Sequence, residues 1–268
     1  MSVKESDPGM VDYFLLDLAF DSQALRDLYE AQPRPDYELI YRGTPFQNVM
    51  LEGPVLVRPV DHEDRELLER KVAGEKAIAI RAPGVAMADL SEHLRRWLQV
   101  KTPEGGIAVF RFADPRLFPA IRNVLEPHER NLLLGPARAF SGVHEGEQWQ
   151  LTPDDQCPVE PLTDPFPLRD EHLAAIQQWR EQALLAGWSE ALGRSVGLLE
   201  NWYRQLMSGG VKSEYDIGLA CEALAKRGVQ RELEAADTEP LRATSMNATD
   251  FEAWAEELSQ IEGRGVPA

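Results

Sequence analysis

The most suggestive catalytic motif in this sequence is the segment Gly193-Arg194-Ser195-Val196-Gly197, which matches the G-x-S-x-G nucleophile elbow of α/β hydrolases. In that elbow the serine sits on a strained turn between a strand and a helix, which exposes its hydroxyl for attack. Here the flanking segments WSEAL and LLENWYRQLM both have helical apolar spacing. The hydrolase order also requires a histidine after the serine, and the last histidine is His172. We therefore do not expect Ser195 to be a nucleophile, and no catalytic residue is predicted.

The residues that most often bind metals are not spaced for that purpose. The sequence contains five histidines: His62, His93, His128, His144 and His172. None of them forms an H-E-x-x-H or H-x-H pattern, and Cys157 and Cys221 do not form a close pair, so neither a metal site nor a disulfide framework is predicted. The neighbours His128-Glu129 and His144-Glu145 are expected to be solvated surface residues. The sequence predicts no metal and no cofactor.

A third set of polar residues lies on, or just after, segments that otherwise predict apolar strands. These candidate site residues are Asp17, Arg42, Arg58, Arg111, Asp114 and Arg116. An unpaired buried arginine costs several kcal/mol, so each arginine must reach water or a carboxylate.

Two interpretations of this set remain open. In the structural interpretation, Asp17 and Asp114 pair with Arg58, Arg111 or Arg116 and hold the register of the sheet. In the functional interpretation, the arginines form an exposed cluster that binds an acidic segment of a partner, because the planar guanidinium suits bidentate binding of carboxylates.

The elements that must position these residues alternate between strand and helix patterns. Strands are predicted at residues 13–20, 37–42, 55–60 and 76–81, with helices at 22–30 and 61–72 between them. Residues 94–118 predict the end of a helix, a turn at 102–106, a strand at 107–112 and a second helix that Asp114 caps. Residues 137–143 and 147–151 predict a hairpin. This alternation is typical of an α/β layer, a mixed sheet with flanking helices and some antiparallel pairing.

The second half of the chain has a different character. Residues 145–168 are acidic and rich in proline and contain no lysine or arginine, which favours an extended linker over a helix. From residue 169 onwards the apolar spacing is helical. We therefore predict an α/β N-terminal lobe at 11–145, a linker at 146–168 and an all-α C-terminal lobe at 169–268.

The overall charge limits the class of partner. The chain of 268 residues has 28 Lys+Arg and 45 Asp+Glu, a formal net charge of −17. The negative electrostatic field of such a chain repels phosphate backbones, so nucleic acid is not an expected partner. Either a basic protein partner or a need for solubility would account for the excess of acidic residues. No apolar stretch approaches the roughly 20 residues that cross a bilayer, and the first ten residues do not have a signal-peptide pattern. We expect no membrane insertion and a cytoplasmic location.

The segment VFRFADPRLF, which follows HLRRWLQVKTPEGG, resembles the N-terminal domain of the type VI secretion effector chaperone (adaptor) family. The upstream segments FLLDLAF, YELIYRGTP and GPVLVRPV extend this resemblance over roughly residues 11–145, and it includes Arg58 and the phrase Asp114-Pro115-Arg116. The resemblance implies a non-catalytic cytoplasmic protein that holds a toxic effector and helps to place it on the secretion spike. Its implied partners are the secreted effector and the spike protein.

The residues alone leave two alternatives open. One is an enzyme of unrecognised type that uses carboxylates at the strand ends, where open α/β sheets usually bind ligands. Its mark would be a concave pocket with convergent acidic side chains of raised pKa. The other is a regulatory module that binds a small molecule in the same crevice.

Overall fold

The computed structural model describes residues 11–157, 165–243 and 248–264. The predictions for the first ten residues, for the centre of the linker at 158–164 and for residues 265–268 lie outside the described residues. The chain divides into two compact units, Met1–Gln177 and Gln178–Ala268.

The first unit contains two sheets. Its strands are β1 Tyr13–Asp17, β2 Asp36–Leu39, β3 Pro54–Arg58, β4 Ala77–Arg81, β5 Gln99–Lys101, β6 Ile107–Val109, β7 Ala139–His144, β8 Glu147–Leu151 and β9 Phe166–Pro167. The large sheet has six strands in the order β2-β3-β1-β4-β7-β8, and all its pairs are antiparallel. The small sheet has the order β6-β5-β9, and its β5–β9 pair is parallel.

Helices flank these sheets and make up the second unit. They are α1 Ala24–Ala31, α2 His62–Ala73, α3 Met87–Arg95, α4 Leu117–Ile121, α5 Pro127–Leu134, α6 Asp170–Leu192, α7 Val196–Ser208, α8 Glu214–Lys226, α9 Ala235–Thr238 and α10 Ala248–Arg264, with 3-10 turns at Gln47–Glu52 and Glu239–Ala243. The predicted fold class is confirmed: sheets with flanking helices, the small one with both parallel and antiparallel pairs, form the N-terminal part and are followed by a helical C-terminal region.

The central strand β1 is buried at all five positions because both of its faces are covered. Phe14 and Leu16 on one face belong to a buried cluster that includes Leu28 of α1 and Leu68 of α2. A strand that is buried on both faces has a continuous run of apolar residues in its sequence, as the residues FLL of β1 do. The polar residue Asp17 ends this run, and it is therefore placed at an edge of the apolar layer.

The structure corrects one part of the predicted order. Residues 99–101 form strand β5, so the turn at 102–106 joins two strands and does not join a helix to a strand. The N–H of Thr102 donates to the carbonyl of Gly106 at 2.8 Å, and Gly105 has a φ of +87°, which a residue with a side chain rarely adopts. The predicted hairpin is confirmed, since β7 and β8 pair with His144 opposite Glu147.

The second unit has its own apolar core. Trp202 of α7, Cys221 of α8 and Phe251 of α10 belong to one buried cluster. Ser195 precedes α7 and its hydroxyl accepts a hydrogen bond from the N–H of Leu198 at 3.4 Å. Ser195 is thus a helix cap between α6 and α7, which agrees with the helical context that the sequence predicted.

Candidate functional site

A buried carboxylate at the end of β1 is bound by an arginine from a distant part of the chain. Asp17 is 3% exposed, and its Oδ2 accepts hydrogen bonds from Arg111 Nη2 at 2.6 Å and Nε at 3.2 Å. Its Oδ1 accepts from the N–H of Ala19 at 3.0 Å. Partial burial disfavours the charge of Arg111, but the hydrogen bonds and charge of Asp17 outweigh it and raise the pKa of the guanidinium. The pair joins the end of the central strand to the segment that leaves β6.

A second pair lies a few residues further along. Asp114 is also 3% exposed, and it accepts hydrogen bonds from Arg116 through both oxygens, at 2.9 Å from Nε and 2.8 Å from Nη2. The guanidinium of Arg116 lies 4.0 Å from the centre of the Phe20 ring, a cation–π distance. Asp114 also accepts from the backbone N–H of Arg116, and α4 begins only at Leu117. The prediction that Asp114 caps this helix is therefore wrong, because its carboxylate holds the turn before the helix.

The other two arginines of the set lie elsewhere. Arg58 is bonded to Asp36, its register partner on β2, with 2.6 Å from Nε to Oδ2. It lies at the far end of β3 from Pro54, the residue opposite Asp17. Arg42 is more than half exposed, and its Nη1 is 4.0 Å from Glu38 Oε2, beyond hydrogen-bond distance. The charge of Asp114 also acts on Arg111, so the two pairs lie close together, while Arg58 and Arg42 lie apart from them.

An open groove of about 380 Å³ follows the loop after Arg42. It is lined by the loop residues Gly43 to Phe46, by Glu92, Arg95, Arg96, Leu98 and Gln99, and by Pro165. Arg95 donates to Glu38 Oε1 at 2.7 Å and to the carbonyl of Ile40 at 3.1 Å. Arg96 is exposed and forms no ion pair with the residues that the structure describes. The groove therefore has one fixed arginine and one that is available to a partner.

Sequence reasoning missed a buried lysine. Lys71 on α2 is 7% exposed, and its Nζ lies 2.7 Å from both Asp21 and Asp27. Burial lowers the pKa of Lys71, but hydrogen bonds and charge from the two carboxylates outweigh it, so the pKa is raised. The spacing along α2 could have indicated this burial, because Lys71 is three residues after Leu68 and lies on the same inward face of the helix.

Sequence reasoning also missed an ion-pair network around Glu129. The expectation that Glu129 is solvated is wrong, because its side chain is buried. Arg169 donates to its two oxygens at 3.0 Å each, and Nε2 of the buried His172 is 3.2 Å from Oε2. Burial favours the neutral acid, but the hydrogen bonds from Arg169 and from the N–H of Glu126, with the nearby cations, lower the pKa of Glu129. The network fastens α5 to the start of α6 within the first unit.

Groups typical of metal centres are not found in the part of the chain that the structure describes: it holds no cluster of three or more histidine, cysteine or acidic residues placed to bind a metal. The two thiols differ in exposure. Cys221 is buried, and burial raises its pKa to about 12, while Cys157 is partly exposed. At neutral pH the Cys221 thiol is therefore not a nucleophile.

The described residues thus hold two buried carboxylates bound by arginines and, lined by other residues, an open groove that includes Arg95 and Arg96. Residues 13–132 match the model of a family described as a domain of unknown function, DUF4123. This family is associated with type VI secretion effector adaptors. The matched region runs from β1 into α5, a little less than half of the chain, and contains all six candidate residues. Comparison with curated proteins and with solved structures finds no match.

One further finding concerns membranes. Among the described residues, none of the helices combines the length and the apolar character that a bilayer crossing requires.

Proposed function

We propose that this protein is a non-catalytic adaptor of a type VI secretion system, which binds a specific secreted effector in the cytoplasm and helps to load it onto the spike protein. The observation that carries the proposal is the match of residues 13–132 to a family associated with effector adaptors of that system. As predicted from the sequence, we assign the effector-chaperone role to residues 11–145, with 146–168 as the connection, whose first part adds β8 to the large sheet, and 169–268 as the helical lobe.

The engagement of the strand-end carboxylates supports binding over catalysis. A general acid or base must exchange a proton with its substrate, so its carboxylate has to be free to contact that substrate. Asp17 and Asp114 are instead buried and bound to Arg111 and Arg116. This arrangement weighs against an enzyme that uses these acids.

Some arginines bind buried carboxylates and others are exposed, so we assign them two different roles. We assign a structural role to Arg111 and Arg116, because each satisfies a buried carboxylate. We assign a docking role to Arg42 and Arg96, which are exposed beside the open groove. An acidic segment of an effector could form bidentate hydrogen bonds with their guanidinium groups. The net charge of −17 would otherwise repel an acidic partner, so a local cationic site is what such binding requires.

The test is capture from the native cell with a tagged full-length chain. We expect the wild-type protein to retain one toxin-like protein together with the spike protein. The double variant Arg42→Glu/Arg96→Glu should lose most of this capture with an unchanged melting temperature. Arg70→Glu is the matched control, because Arg70 is 68% exposed on α2 and outside the groove, and it should capture normally.

Two results would contradict the proposal. The first is that the wild-type chain retains no secreted protein while it converts a small molecule with saturable kinetics, which would support the enzyme alternative. The second is that the double variant captures the same partner as the wild type, which would remove the docking role from Arg42 and Arg96.

A further inference from the structure

Strand β6 forms an open edge of the small sheet. In the antiparallel pair β5–β6, Val100 lies opposite Ala108, and the flanking bonds run from Phe110 N–H to the Leu98 carbonyl and from Thr102 N–H to the Gly106 carbonyl. Residues 106, 108 and 110 therefore direct their backbone groups towards β5. By the alternation of an antiparallel ladder, Ile107 and Val109 direct their N–H and C=O groups away from it. Within the described residues these groups have no backbone partner.

The side chains of the same two residues are apolar and exposed. Ile107 is 56% exposed and Val109 is 51% exposed, while Phe110 next to them is buried. Cross-strand partners point to the same face, so Gln99 and Lys101 of β5 lie beside them on this face. Lys101 is exposed and forms no ion pair with the residues that the structure describes. The edge thus offers unused hydrogen-bonding groups, two β-branched side chains and a cation.

The other sheet edges in the described part of the chain are protected. The large sheet ends in β2, which carries Asp36 and Glu38, and in β8, which begins with Glu147. The small sheet ends on its other side in β9, which contains Pro167. Charged residues and proline are the usual means by which proteins prevent pairing at a sheet edge. The segment Ile107–Val109 has neither.

We propose that the β6 edge binds an extended segment of the partner protein, which adds to the small sheet as a fourth strand antiparallel or parallel to β6. The inference rests on the proposed adaptor function, because it specifies which part of a bound protein this surface would hold. Only an extended segment can satisfy donors and acceptors that alternate along an edge. The segment carries β-branched or aromatic residues on the face shared with Ile107 and Val109, and acidic residues near Lys101.

Charge favours a different protein over a second copy of this chain as the occupant. Pairing of β6 with β6 of another copy would bring the two Lys101 side chains onto one small sheet and would join two chains that each carry a net charge of −17. The groove bordered by Arg96 also includes Gln99 of β5, so the groove reaches the small sheet, where Lys101 lies two residues further along β5. An acidic, extended segment of another protein fits both features.

The test uses a blocked peptide in which valine alternates with glutamate, titrated to millimolar concentration into the isotope-labelled full-length chain. We expect the amide signals of Ile107 and Val109 to shift and their hydrogen exchange to slow. Val109→Pro removes an outward N–H without removing a bond to β5, and it should weaken peptide binding at least about tenfold. Val109→Thr keeps the N–H and the branched shape and should stay within about threefold of the wild type.

A second variant keeps the test decisive if the proline variant does not fold. If Val109→Pro does not fold, Ile107→Lys keeps every backbone donor and should weaken binding at least about tenfold by placing a charge at the edge. Peptide binding that leaves the two amides unchanged, equal binding by the proline variant, dimerisation through β6, or no binding at millimolar peptide would each overturn the inference. Capture of the effector by Val109→Pro at the wild-type level would then leave the adaptor function standing, whereas no capture by the wild-type chain would remove that function itself.

Discussion

Replacement of Arg111 by methionine separates the two interpretations of the strand-end arginines. The variant keeps much of the side-chain volume, and among the described residues it leaves the carboxylate of Asp17, 3% exposed, with the hydrogen bond from the N–H of Ala19. Removal of one partner from a fully buried ion pair costs about 3–5 kcal/mol. Because the Arg111 side chain is 51% exposed, water can replace part of its interaction, and we expect a smaller loss of about 1–3 kcal/mol.

Hydrogen exchange of the β1 amides is the suitable assay, because a chain with two units need not unfold in a single step. A loss of about 1–3 kcal/mol corresponds to a decrease in amide protection of roughly 5- to 150-fold. Arg42→Met is the matched control, and we expect it to change the free energy of opening by less than about 0.5 kcal/mol because Arg42 is exposed.

The double variant Asp17→Asn/Arg111→Met tests the cause of this loss. It has no buried charge, so it should recover part of the protection that Arg111→Met loses. Unchanged protection of β1 in Arg111→Met, combined with a loss of effector capture, would refute the structural assignment. Arg111 would then be a docking residue.

Three further predictions concern groups away from this pair. Lys71→Met should lower the free energy of opening of the first unit by about 3–5 kcal/mol, because it leaves a buried carboxylate unpaired, while the exposed neighbour variant Arg70→Met should change it by less than about 0.5 kcal/mol in the same hydrogen-exchange measurement. The pKa of Glu129 is lowered, so its stabilisation is present above the ordinary value of 4.5 and is lost as the pH falls through the folded-state pKa. The stability difference between the wild type and Glu129→Gln, measured from pH 7 to pH 3, should therefore shrink below about pH 4.5. A thiol reagent at pH 8 should label Cys157 quickly, and it should label Cys221 only on unfolding because burial raises its pKa to about 12; equal rates would contradict the buried position.

The sequence predicted the elements better than the contacts between them. The apolar runs and their spacing indicated β1 and α2, because local patterning is set by burial of one face. Strand β5 was missed because it is only three residues long and continues the apolar spacing of the preceding helix. No local signal could show that residues 99–101 pair with β6 and β9.

Ion-pair partners were the least predictable feature. The position of Asp17 at the end of an apolar run predicted that it needs a cation, but not which one. Arg58 was a candidate, but because β1 and β3 are antiparallel, Arg58 lies near the start of β1 and Asp17 lies at its end. Arg111 is 94 residues away and reaches Asp17 only through the path of the chain around the small sheet. Partner choice thus depends on topology, which a single sequence does not specify.

The strand order of the large sheet has a practical consequence for work with fragments. The region that the family model matches stops at residue 132, before β7 and β8 begin. A polypeptide trimmed to that limit would leave β4, with its apolar sequence AIAI, as an unpaired outer strand of the large sheet. It would also lose Arg169, so that Glu129 would stand without its cation. Such a truncated chain should self-associate through β4, and binding work on the isolated domain therefore has to extend past the start of α6.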